Sequence, residues 1–308
     1  MNADPMPGLT MTNGRDLWRQ FCRAPVAMAA TMIIVLIVVG AVFAPWIAPQ
    51  NPFDPAALDL SNALIPPAWM SGGDHHFLLG TDDQGRDVLS ALLYGTRVSL
   101  AVGIGAVVFA AVLGIASGLL AGWRGGIVET LVMRLADVQL TIPAILIALM
   151  IDALARATLS PGRHEEVALG VLIFAIGIAD WPQYARTMRT GTAVQKTLGY
   201  VRAARIIGVK PITIVLRHIL PNVLTSVTVL ATLGLALAII SEATLSFLGV
   251  GMPPTTPSLG TLIRVGQNFL FSGEWWIVAF PSLVLVIMAL AVNLLGDWLR
   301  DALDPRLV

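Results

Sequence analysis

The chain has 308 residues, 56% of them hydrophobic and only 12% charged, and its formal net charge is zero. A soluble domain carries roughly a quarter charged residues, so this composition, with a mean hydropathy of +0.79, excludes a soluble globular protein and defines an integral membrane one. The single Cys22 excludes an internal disulfide and a cysteine metal cluster.

In chain order, residues 1–25 form a charged lead-in with Arg15, Arg19 and Arg23. Residues 26–48 are the first predicted span, since a membrane helix needs roughly 20 mainly apolar residues. Its apolar core exceeds the roughly 7–15 residues of a cleaved signal, and Pro45 and Pro49 crowd any cleavage after Ala44 or Ala48. It is therefore read as an uncleaved helix. Residues 49–97 form an extracytoplasmic segment containing NPFDP, IPPAW and LLGTDDQGRDVLS. Asp54, Asp59, Asp74, Asp82, Asp83 and Asp87 outnumber its bases, and Pro and Gly make it a folded-back lid.

A core of five more spans is predicted within 98–295: residues 98–122, 135–155, 167–185, 223–250 and 276–295. The first of these places Gly114, Gly118 and Gly122 on one face, suited to close contact with a partner subunit or with the chain's own helices. Arg134 and Asp137, three apart, are expected to pair. The span at 167–185 is the weakest, interrupted by Asp180 and Pro182. Fourteen basic residues fall on one side of this arrangement and five on the other, which places both termini in the cytoplasm. A short tail, 296–308, follows. The fold class is thus all-α and polytopic, with six transmembrane helices in the lipid bilayer.

The connection at 186–221 carries Arg186, Arg189, Lys196, Arg202, Arg205, Lys210 and Arg217 with no acid, so it belongs on the cytoplasmic side. Leu198, Val201, Ala204 and Ile206 recur at helical spacing. Gly208 is placed to stop that helix, and Pro211 suits the first turn of a second, over 212–218. Pro221 and Asn222 are expected to mark a turn into the fifth span. A helix pair so tied to two spans can transmit rigid-body motion; the same basic amphipathic pattern also suits a helix lying on anionic lipid.

This segment resembles the cytoplasmic "EAA" loop of permease subunits of ABC importers. The corresponding positions are Arg202-Ala203-Ala204, Gly208 and Ile219-Leu220-Pro221. LGTDDQGRDVLS, RVSLAVG, SEATLSFLGVG and NLLGDWLRDALDP are similar to the second-permease, C-type subfamily of the dipeptide/oligopeptide/nickel branch. The resemblance implies a type I ABC importer permease fold that pairs with a homologous second permease. It also implies two cytoplasmic ATP-binding subunits and an extracytoplasmic solute-binding protein as partners, with Tyr200, Val201, Arg202, Ala203, Ala204, Gly208, Leu220 and Pro221 coupling to the ATPases. Dipeptides, longer peptides, glutathione, nickel chelates, sugars and opines are all within its substrate range. One departure stands out, because the family usually has Glu where this chain has Arg202. Either a partner carries a compensating acid, or Arg202 points to solvent or lipid.

No Gly-Lys pair occurs, so the chain lacks a phosphate-binding loop and is not expected to hydrolyse ATP. HEEVA (164–168) lacks the second His of a zinc-protease helix and His75-His76 is a lone doublet, so no cofactor or metal is expected, nor a nucleic-acid partner. Ionisable residues at membrane depth are functional candidates. Asp180, placed near the inner end of its span, may be read as pathway-lining or interfacial. Glu242, towards the outer end of the fifth, is read as a gate or as a hydrogen-bond bracket. An alternative function, an ion- or proton-coupled secondary transporter, would use these two residues as its ion sites.

Overall fold

A computed structural model describes residues 14–54 and 58–303, and among these every regular element is helical. Residues 1–13 of the lead-in, Pro55 of NPFDP and the end of the tail with Arg306 lie outside the described residues. Helix α1 (Gly14–Cys22) is joined by a tight turn to α2 (Pro25–Val42). Pro25 opens α2 because its missing N–H has no helical partner in the first turn. Phe21 packs edge-on against Trp298 at 5.1 Å and so ties α1 to the last helix. A single turn, α3 (Ala44–Ile47), ends the first span.

The segment that follows folds back as predicted, but α4 (Val88–Arg124) begins ten residues earlier than the 98–122 pattern implies. Asp87 caps it, accepting from Ser90 N at 2.8 Å and Ser90 Oγ at 2.6 Å. Thr81 is the hub of the lid. Its hydroxyl donates to Asn62 O (2.6 Å) and accepts from Ile65 N (2.8 Å), and its carbonyl accepts from Trp276 Nε1 at 3.1 Å. Beside it, a fully buried Arg86–Asp82 pair closes at 2.6 Å.

Gly125 and Gly126, both at positive φ, turn the chain into α5 (Gly126–Leu140). The predicted third span is not one straight helix. It breaks at Thr141-Ile142-Pro143, where α6 (Ala144–Thr158) leaves α5 at 90°. Pro143 lacks a donor and pushes the residue before it out of helical geometry, which the apolar pattern alone does not reveal.

The predicted fourth span, in contrast, is stronger than its sequence. Helix α7 (Pro161–Gln195) runs unbroken through Pro182. Proline frees the carbonyl four residues back, here that of Ile178. Gln139 Nε2 of α5 donates to that carbonyl, while Gln139 Oε1 accepts from Trp181 Nε1 at 2.8 Å. The polar interruption is thus satisfied from a neighbouring helix. Chain-ward come α8 (Gly199–Ile206), α9 (Pro211–Ile214), α10 (Leu220–Phe247), α11 (Leu259–Gly266) and α12 (Trp276–Leu303). Helix α12 continues into the predicted tail as far as residue 303.

The centre of the bundle is the α4–α7 pair. Cβ atoms added at Gly114, Gly118 or Gly122 would lie 2.4, 2.3 and 2.7 Å from Tyr184 Cβ, Ala185 O and Arg189 O (or Thr192 Cβ). The small-residue face therefore packs within the chain, against α7. By length and composition, five helices among the described residues can cross a membrane, or six when the bent α5–α6 pair is counted as one.

Candidate functional site

Helix α8 is held by a small set of local rules. Leu198 is extended at its N-cap. Val201, 0% exposed, and Ala204 pack into a cluster with Ala136, Met188, Ile214, Val215 and Ile219. At its end Gly208 takes φ +81°. Val209 N donates to Ala204 O at 3.0 Å and Gly208 N to Arg205 O at 3.1 Å, the paired bonds of a Schellman stop. Lys210 is extended and Pro211 opens the next helical turn, as the sequence predicts.

The second helix of the pair is not separate from the fifth span. From α9 the chain passes through a π-turn, Val215–Ile219, directly into α10. Pro221 marks no turn. It sits in the first turn of α10, and the wide π-turn before it accommodates a residue with no N–H to give. Leu220 is half-buried beside it and Pro221 is exposed.

The basic stretch is also shorter in space than in sequence. Arg186 and Arg189 lie on α7 and are already engaged: Arg186 Nη2 with Asp137, and Arg189 Nε with Glu129 Oε1 at 2.7 Å. Asp137 therefore pairs across helices with Arg186, not with Arg134 on its own helix. Lys196 Nζ donates to Trp123 O, and the Arg205 guanidinium lies 4.7 Å from the Trp123 ring centre. Tyr200 stitches the loop together. Its hydroxyl donates to Gln195 Oε1 at 2.6 Å and accepts from Asn222 Nδ2 at 3.4 Å, so it links the end of α7 to the start of α10.

What remains facing outward is compact: Arg202, Ala203 and Ile206 of α8 and Ile207 at its C-cap, with Lys210, Ile212, Leu216 and Arg217 beyond the elbow. Ile206 is 85% and Ile207 77% exposed, high values for isoleucines next to a well-packed helix. Arg202 makes no ion pair among the described residues. The surface thus joins the cations Arg202, Lys210 and Arg217 to an apolar tip, a combination that suits a protein groove.

The two acids at depth separate cleanly. Glu242 is wholly buried; its Oε2 accepts from Ser99 Oγ and its Oε1 from Ser246 Oγ, both at 2.7 Å. Ser99 Oγ in turn accepts from Leu259 N at 3.2 Å. Glu242 is thus a bracket fastening α4, α10 and α11. Asp180 lies just past the middle of α7, not near an end, because the helix extends ten residues beyond the apolar pattern. It makes no hydrogen bond or ion pair among the described residues, and it lines cavities of about 170 and 90 Å³ between α7, α6 and α10.

Sequence reasoning missed several polar partners. Buried Asp152 on α6 accepts from Arg156 Nε at 2.6 Å and meets His164 Nε2 at 3.2 Å, which gives the His of HEEVA a structural place. The i,i+4 spacing of Asp152 and Arg156 was a signal for half of that cluster. Nothing in the sequence marked Gln139 or Trp123, and Asn222 was read only as part of a turn.

Residues 89–308 match the family described as binding-protein-dependent transport system inner membrane component, and residues 12–67 match the N-terminal TM domain of oligopeptide transport permease C. The chain belongs to this family of transport permeases and is a multi-pass inner-membrane protein. It is similar to the di/tripeptide transport system permease protein DppC of Pseudomonas aeruginosa (39% identity, covering 95% of this chain and 92% of that one). The dipeptide transport system permease proteins DppC of Haemophilus influenzae (36%; 100% and 99%) and Escherichia coli (40%; 98% and 95%) are likewise similar.

Proposed function

We propose that the chain is the permease subunit of an ATP-driven importer of di- or oligopeptides, forming the pathway with a homologous second permease. Two cytoplasmic ATPase subunits dock on the α8–α9 elbow, and an extracytoplasmic binding protein delivers the peptide at the opposite end. The names of the full-length relatives support the peptide assignment. The observation that carries the coupling role is the construction of α8: two side chains anchor it in the bundle, and a Schellman stop leads by one short elbow into α10.

In this reading, closure of the ATPases displaces Arg202, Ala203, Ile206 and Ile207. Val201 and Ala204 carry the displacement into the packed cluster, while Tyr200 and the continuous α9–π-turn–α10 segment carry it to α10. The pathway then alternates by rigid-body movement, with no covalent chemistry in this chain. Arg202 implies an acidic residue in the docking groove of a dedicated ATPase.

The test is affinity purification of the tagged chain in mild detergent, with mass spectrometry and an ATPase assay. Co-purifying ATPases and a second permease are expected. Gly208→Pro removes both the left-handed φ and the donor to Arg205 O, so it should insert normally yet lose transport. Transport retained by that variant would refute the coupling role.

A further inference from the structure

Two polar groups on one face of α7 are left without partners at the same cavity. Asp180 and Tyr184 are four residues apart, hence neighbours on the helix surface. Tyr184 is 2% exposed, and its hydroxyl is buried with no hydrogen-bond partner. An unsatisfied buried hydroxyl and an unpaired carboxylate at membrane depth are both expensive. Asp180, Gln183 and Tyr184 line the cavity of about 170 Å³ opposite Leu233, Gly234 and Leu237 of α10. Gly234 keeps the space open for the hydroxyl, because a Cβ there would lie 2.5 Å from it.

We propose that the Asp180 carboxylate and the Tyr184 hydroxyl form a binding subsite on the pathway for the ammonium group of the transported peptide. This rests on the peptide-permease reading given above. An ammonium brings a positive charge and three N–H donors, which match one carboxylate, one phenolic oxygen and the Gln183 amide. A divalent cation fits poorly, since it demands about six oxygen ligands. The volume is also right: a water needs only about 10–15 Å³ by this measure, so the cavity admits a group larger than one solvent molecule. The surrounding leucines leave the peptide's side chains without specific contacts. The subsite thus reads the amino group common to all peptides.

The test uses the purified assembly in proteoliposomes, with radiolabelled L-alanyl-L-alanine uptake and ATP hydrolysis measured on the same vesicles. Asp180→Asn should lower uptake per ATP hydrolysed at least tenfold while hydrolysis and subunit recovery stay within twofold of wild type. Tyr184→Phe should lower the same ratio severalfold, and Asp180→Glu should restore a third or more of it. Wild-type coupling ratios in both Asp180→Asn and Tyr184→Phe would overturn the subsite alone. So would loss of the second permease from the Asp180→Asn assembly, which assigns the carboxylate to a subunit contact, or a parallel fall of uptake and hydrolysis without rescue by Glu. A wild-type assembly that hydrolyses ATP yet moves neither L-alanyl-L-alanine nor penta-L-alanine would overturn the peptide reading, and the subsite with it.

Discussion

Gly118→Ala adds one methyl group at the tightest point of the α4–α7 contact. The new Cβ would stand 2.3 Å from the backbone oxygen of Ala185 and 2.9 Å from Met188 Cβ. Ordinary contact begins near 3.4 Å, so the helices must part by about 1 Å at this level. Backbone cannot swing aside as a side-chain tip can, and Gly114 and Gly122 hold the pair close one turn away on either side. Overpacking of this kind costs about 1–3 kcal/mol, against a gain of up to ~1 kcal/mol from replacing helical Gly by Ala. With both effects near the middle of their ranges the net is about 1–2 kcal/mol of destabilisation, roughly a five- to thirtyfold change in the folded-to-unfolded ratio. Thermal unfolding of the detergent-solubilised protein reads this out. Gly170→Ala is the matched control, on the exposed side of α7 with nothing within 4 Å of the added atom. Gly118→Ala should melt well below wild type and Gly170→Ala at or slightly above it. If both variants melt together, close packing of α4 on α7 does not hold the bundle and the reasoning fails.

Arg202→Glu should reduce ATPase co-purification tenfold or more, because a like charge against an acidic groove costs several kcal/mol; equal recovery with Glu and Arg would refute an acidic partner. Asp83 lies in the lid, where burial first and the neighbouring Asp82 charge second hold its carboxyl above the ordinary 3.8. A raised folded value means that its contribution to the lid is fully present below 3.8 and is lost as pH rises through the higher folded value. Hydrogen exchange at Thr81, Asp82 and Gly85, whose amides bond to Ile65 O, Arg86 O and Asp82 O, checks the sign. Corrected for intrinsic rates, protection in wild type relative to Asp83→Asn should fall from pH 4 towards pH 7; a ratio that rises would show the shift to be the other way.

Helix existence was legible wherever apolar residues ran long enough, and the Gly208–Pro211 elbow was legible because each residue has one good use there. Helix ends were not, since α4, α7 and α12 all extend past their apolar runs into polar ground. In α7 the proline is accommodated by Gln139 and the extension is secured by Asp137 and Glu129, partners distant in sequence that no local pattern announces. The same blindness put Arg186 and Arg189 in a free basic loop when their charges are spent on α5. Asp180 was picked out by its chemistry, but its depth needed the full length of α7 and the cavity it shares with Tyr184 needed α10. Glu242 was picked out for the same reason, and only the hydroxyls of Ser99 and Ser246 show that it fastens helices.

These contacts also determine where the bundle can move. Helix α4 is locked to α7 at Gly114, Gly118 and Gly122, and again at Gly105 against Ile173 and Gly177 against Phe109. The Arg186–Asp137 and Arg189–Glu129 pairs fasten α5 to the same unit. Helix α10 joins that unit differently. Glu242 clamps its far end to α4 and α11, and at the near end Val223 packs closely on Gly191 of α7 while the π-turn, the Gly208 elbow and the Tyr200 hydroxyl join it to α8. Between these two contacts, at Leu230–Leu237, α10 borders the cavity holding Asp180 and Tyr184, and on the proposed coupling route force applied to α8 would be felt there as a shift of α10 against α7. The residues that would bind the peptide thus lie on the seam that the coupling helix is placed to open.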